Sequence, residues 1–128
     1  MEKDTWERVP NFDPAEFDSP DKPGSGLDMQ EHFIFKLQSA REQANISFKI
    51  NSGFRTAEHN TKIGGARTSA HLGGWAADIA TNTSRDRYLI LNALVKAGFT
   101  RLGIGANFIH VDNDPNLPDL VAWDYYDH

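Results

Sequence analysis

Two histidines and one aspartate carry the most chemistry in this chain of 128 residues. His71 and Asp78 stand seven residues apart, framed by Ser69 before them and by Gly73-Gly74 and Ala76-Ala77 between them. His110 follows in Phe108-Ile109-His110-Val111-Asp112. That spacing can put His71 and Asp78 at the two ends of a short loop-and-strand unit facing one cavity. Two imidazoles and a carboxylate suit a catalytic Zn²⁺, which keeps a fourth position for water. Taken singly, each residue has a plainer explanation: a capping His71, a turn-forming Asp78, a satisfied interior His110. Taken jointly, they predict a three-ligand zinc site.

The chain resembles the zinc D-alanyl-D-alanine carboxypeptidase family, which shares its fold with the Hedgehog amino-terminal signalling domain. The resemblance rests on Ser52-Gly53-Phe54-Arg55-Thr56, His59-Asn60, Gly64-Gly65-Ala66, the Ser69-to-Asp78 segment and Phe108-to-Asp112, with Phe12, Glu16 and Phe17 upstream. It covers roughly residues 10 to 125. It implies a Zn²⁺ cofactor, a peptidoglycan peptide as substrate and hydrolysis by a metal-activated water. Arg55 matches the family's motif arginine. A guanidinium offers planar paired donors for a carboxylate or carbonyl, so Arg55 is expected to position substrate and serve catalysis. Ser69 is expected either to bind substrate or to orient the His71 backbone.

The base departs from the family pattern. Relatives carry a Glu three residues, or a His two residues, before the last zinc histidine. Here those positions hold Asn107 and Phe108. Asp112 is the nearest carboxylate, and on a strand it shares a face with His110. Asp112 is therefore expected near the metal as the catalytic base. A competing assignment makes His110 the catalytic group and Asp112 the third ligand. His110 is preferred as ligand because histidine is the commoner donor.

Composition narrows the classes. The length fits one domain, the net charge is -5, and cysteine is absent. No basic block favours nucleic acid, no disulfide or thiolate chemistry is available, and no apolar run reaches a membrane span. The amino terminus lacks the pattern of a signal peptide. The expectation is cytoplasmic synthesis of a monomer, with delivery to the cell wall by other means such as phage-mediated release.

The elements that must position these groups read as follows. Residues 1–26 form a proline-rich arm held on the domain by Phe12 and Phe17, and residues 27–128 form the peptidase domain. A helix over Leu27–Asn45, capped by Asp28, buries Met29, Phe33, Leu37, Ala40 and Ala44. Ser47–Asn51 alternates as a strand, and residues 57–70 form a loop or short helix. Trp75–Ile79 is a core strand. Ser84 caps a helix over Arg85–Ala97 whose stripe is Tyr88, Leu91, Leu94 and Val95, and Gly98 ends it. Two strands, Arg101–Gly105 and Phe108–Asp112, flank a turn at Ala106-Asn107. An irregular tail packs back through Leu117, Leu120, Val121, Trp123 and Tyr125. His32 and His128 are expected in solvent, and His59 either shapes the pocket or lies on the loop surface.

The fold expected is α+β: a small, mainly antiparallel sheet with helices on one side, Hedgehog- and D,D-peptidase-like. The function expected is a zinc peptidase cutting stem or cross-link peptides, as a carboxypeptidase or as an endopeptidase of the endolysin kind. The alternative is a non-catalytic wall-binding or virion module that keeps the fold.

Overall fold

The computed structural model describes residues 1–126; the expectation for His128 lies outside them. The fold is α+β, with one five-stranded sheet in the order β1-β2-β4-β3-β5. The strands are β1 (Ile50–Ser52), β2 (Ala76–Ala80), β3 (Arg101–Ile104), β4 (Phe108–Asp112) and β5 (Val121–Asp124). All pairings are antiparallel except that of β5 with β3. The helices are α1 (Glu31–Ala44), α2 (Ala57–Lys62) and α3 (Ser84–Lys96).

Alternation along the central strands separates core from chemistry. Ala77 and Ile79 of β2, Ile109 and Val111 of β4, and Leu102 of β3 enter the core with α1 and α3. Asp78, His110 and Asp112 take the other face. On α1, Phe33, Ile34 and Leu37 are fully buried, each stabilising the fold by about 1.5–3 kcal/mol.

The first helix starts later than the sequence predicts. Ser25–Asp28 is a separate 3-10 turn and Gln30 takes the cap position, so Asp28 is not the cap. Gln30 ties the helix to the metal-site loop: its backbone N–H donates to Gly74 O at 3.0 Å and its Nε2 to Gly73 O at 2.9 Å. On α3 the cap is Thr83, whose hydroxyl accepts from Asp86 N, and Ser84 is already helical. Its buried face is Ile90, Ala93 and Leu94, whereas Tyr88 and Val95 are exposed. The tail is more regular than expected, because β5 adds a parallel strand beyond β3, while Leu120 stays in solvent.

The amino-terminal residues share the single core. Trp6, Val9, Phe12 and Phe17 are buried with Met29, Phe33 and Phe48. Phe17 also lies directly under Gly53, where a Cβ would come within 2.7 Å of Phe17 Cα. The backbone N–H of Phe54 donates to Phe17 O at 2.9 Å. Among the described residues no helix is long and apolar enough to cross a membrane.

Candidate metal centre

His71 sits in a 3-10 turn, Ala70–Gly73, that leads into β2. Ser69 caps this turn, its Oγ accepting from the His71 backbone N–H at 3.2 Å. Gly74 turns the chain at φ 78°, where a side chain would strike the carbonyl of Asp28. The cross-strand register then sets Asp78 of β2 opposite His110 of β4. His71, Asp78 and His110 each offer a donor atom within 4.8 Å of the others.

The hydrogen bonds decide which atoms face inward. His71 Nδ1 lies 2.7 Å from Gly53 O. A carbonyl only accepts, so Nδ1 carries the proton and Nε2 is left to face Asp78 Oδ1 at 3.2 Å. With His71 neutral, Nε2 and Oδ1 both present lone pairs, an arrangement that could hold a cation between them. A second proton is the poorer candidate, because burial pushes the His71 pKa down despite the Asp78 carboxylate. His110 Nδ1 approaches the same Oδ1 at 2.9 Å. Tetrahedral donors around Zn²⁺ stand about 3.3 Å apart, given bonds of about 2.0 Å. The two donor separations of 3.2 and 2.9 Å therefore suit zinc.

The other oxygen of Asp78 is held away from the ion site. Oδ2 accepts from Arg55 Nη2 at 3.2 Å. Burial raises the Asp78 pKa, but the adjoining His110 and His71 imidazoles outweigh it and keep the carboxyl well below the usual carboxylate range. The family pattern described as peptidase M15 matches residues 10–112.

The chain belongs to the peptidase M15 family.

This family is one of zinc-dependent metallopeptidases, and the matched span contains all three donors of the M15 chain. No curated protein sequence matches the chain.

Within this M15 fold, Asp112 is not among the converging donors. It lies behind His110: its Oδ2 is 2.7 Å from His110 Nε2, and its Oδ1 accepts from Arg101 Nε at 2.7 Å. Only 1 % of Asp112 is exposed. Burial lowers the His110 pKa, yet the hydrogen bonds to Asp112 and Asp78 overcome that and leave it raised. The imidazole is thus clamped between two carboxylates, its Nδ1 toward the donors and its Nε2 toward Asp112. Arg101 is itself fixed: it donates to Pro118 O and stacks 5.1 Å from the Trp123 ring.

Arg55 is anchored at three points. Nε donates to Ser52 Oγ at 3.1 Å, Nη1 to Asn60 Oδ1 at 3.3 Å, and Nη2 to Asp78. A guanidinium has five N–H groups, so two have no protein acceptor among the described residues, and Arg55 lines the cleft. Ser69 lines it too. The cleft measures about 510 Å³ and runs between the loop of Ile63–Ser69 and the wall formed by Leu117, Trp123 and Tyr125.

Several participants escape a reading of the sequence. Asn60 is buried and bridges Arg55 to the loop, its Nδ2 donating to Ala66 O at 2.9 Å. Gly65 passes so close that a Cβ would overlap Asn60 Oδ1. His59 is half-buried on α2, its backbone N–H donating to Thr56 Oγ1 at 3.1 Å. Arg101 and Tyr125 are visible only once β3, β4 and β5 are paired. Gly103 sits between His110 and Trp123 in that register. Without a side chain there, the Trp123 ring leans to 5.6 Å from His110.

Proposed function

We propose that the chain is a zinc peptidase that hydrolyses the stem or cross-link peptides of peptidoglycan, acting as a monomer once delivered to the wall. The observation that carries this is the approach of His71 Nε2 and His110 Nδ1 to one oxygen of Asp78, in an M15 chain, at the floor of an open cleft.

When bound, Zn²⁺ brings the pKa of a water to about 7 and polarises a carbonyl. The chain's own residues hold and orient. The two spare N–H groups of Arg55 bind the terminal carboxylate or a carbonyl of the wall peptide, a planar match that lysine could not make. Ser69 holds the His71 backbone and presents the rim of the cleft to substrate. Asp112, with both oxygens engaged, orients His110 and raises its basicity as a ligand, which displaces the base role that the strand register suggests.

The test is direct. Purified protein should release amino groups from peptidoglycan, lose that activity to a chelator and regain it with Zn²⁺, while His71→Ala stays inactive. Masses of the products from defined muropeptides separate loss of a terminal D-alanine from an internal cut. Hydrolysis that survives metal removal would refute the metal mechanism. Binding to wall material without cleavage in any metal-loaded form would favour a docking module instead.

A further inference from the structure

The hydrolysis proposed above needs a donor for the carbonyl oxygen as negative charge builds on it. Arg55 is held low in the cleft by Ser52, Asn60 and Asp78. The facing wall belongs to β5 and the residue that follows it. Tyr125 lies outside the span matched by the family pattern and lines the same cleft as Arg55, His71, Asp78 and His110.

The Tyr125 ring is set by three independent contacts. Its backbone N–H donates to Ile104 O at 3.1 Å, extending the β3–β5 pairing by one residue. Its ring packs 5.1 Å from Phe108. Its edge lies over Gly103, where a Cβ would come within 2.8 Å of Tyr125 Cε2 and 2.5 Å of Trp123 Nε1. The absence of a side chain at Gly103 thus lets tyrosine and indole lie together above the strand that carries His110.

The phenol is equipped to donate. Burial, helped by the Asp78 and Asp112 carboxylates, raises its pKa, while Trp123 and Arg55 oppose. It therefore keeps its proton at neutral pH. The Trp123 indole stands beside it over Gly103 and opposes the rise. Tyr125 itself lines the cleft, and a phenol O–H can donate a hydrogen bond there.

We propose that Tyr125 is a catalytic residue of this peptidase, donating a hydrogen bond from its phenol to the oxygen of the scissile carbonyl. The inference rests on the peptidase reading above. Water oxygen bonds to the carbonyl carbon, the C–N bond breaks, and a water proton ends on the leaving amine. The phenol keeps its own proton throughout. A donor of this kind contributes most when it is pre-placed in a site with little water.

Tyr125→Phe removes the one oxygen and keeps the ring on Phe108 and Gly103. We expect kcat to fall about 10²–10³-fold with KM changed less than about threefold, and with Zn²⁺ affinity in chelator competition unchanged. A dipeptide whose scissile amide is replaced by a phosphinic acid should bind the variant about 10–100-fold more weakly, whereas the product peptide binds both proteins alike. A kcat within about threefold of wild type, or a loss seen only in KM or only in metal affinity, would overturn the assignment. Wild-type protein that cleaves no wall peptide overturns this assignment together with the peptidase reading. An active wild type beside an equally active variant overturns this assignment alone.

Discussion

Asp112 stands behind His110, its Oδ2 2.7 Å from the imidazole nitrogen that points away from Asp78. The carboxylate reaches the ion site only through that ring. Asp112→Asn keeps the shape but removes the charge, and Zn²⁺ affinity should drop about 10–100-fold in chelator competition. Arg101→Gln, one step further out, should give a smaller loss in the same direction. Wild-type affinity in Asp112→Asn would rule out the clamp.

Metal binding should release a proton. In the metal-free protein the His110 pKa is raised, His71 is lowered and Asp78 is lowered. Below its raised pKa His110 holds a proton that the ion must displace, while the lowered pKa values of the other two donors favour their deprotonated forms. Affinity should climb about tenfold per pH unit below the raised His110 pKa and level off above it. Calorimetry in buffers of different ionisation enthalpy checks this; heats independent of buffer below that pKa would contradict it.

Gly103→Ala should disturb the cleft wall. The new methyl would press on Trp123 and Tyr125, costing about 1–3 kcal/mol. Denaturant unfolding measures the loss, and indole fluorescence reports the displaced ring. Gly64→Ala is the useful contrast, since nothing lies within 4 Å of its added Cβ and only its positive φ of 74° resists the change.

Phe17→Ala should act on both stability and the centre. The ring is fully buried, so the cost is about 3–5 kcal/mol. It also supports Gly53, whose carbonyl holds His71 Nδ1. Zn²⁺ affinity should fall even where the variant remains folded. A destabilised variant that binds zinc as wild type does would separate the arm from the centre.

The groups legible in the sequence are those whose partners are close in the chain or fixed by strand alternation. His71 and Asp78 flank one turn and strand, and the period-two pattern of Phe108–Asp112 puts His110 and Asp112 on one face. The sheet class and the two long helices follow from similar local signals. The face of α3 was not legible, because Leu89-Ile90-Leu91 is apolar all round and leaves the phase open; packing against α1 and β4 chose Ile90 and Leu94. Nor was β5, four residues long and exposed at three of them, so that no buried alternation marks it. The task of Asp112 turns on Arg101, its partner across the β3–β4 pair, and the task of Asn60 turns on a loop that doubles back onto it.

The grip of Arg55 on Asp78 Oδ2 has a bearing on which ions can compete. It leaves the aspartate one oxygen facing the two imidazoles. Calcium asks for six to eight oxygens, and magnesium for a strict octahedron rich in water; neither is met by two imidazoles and one oxygen. Copper and nickel face no such bar, and copper outranks zinc on ligands of this kind. The donor set therefore favours late transition ions over the alkaline earths and leaves the choice among them to whatever the surroundings supply.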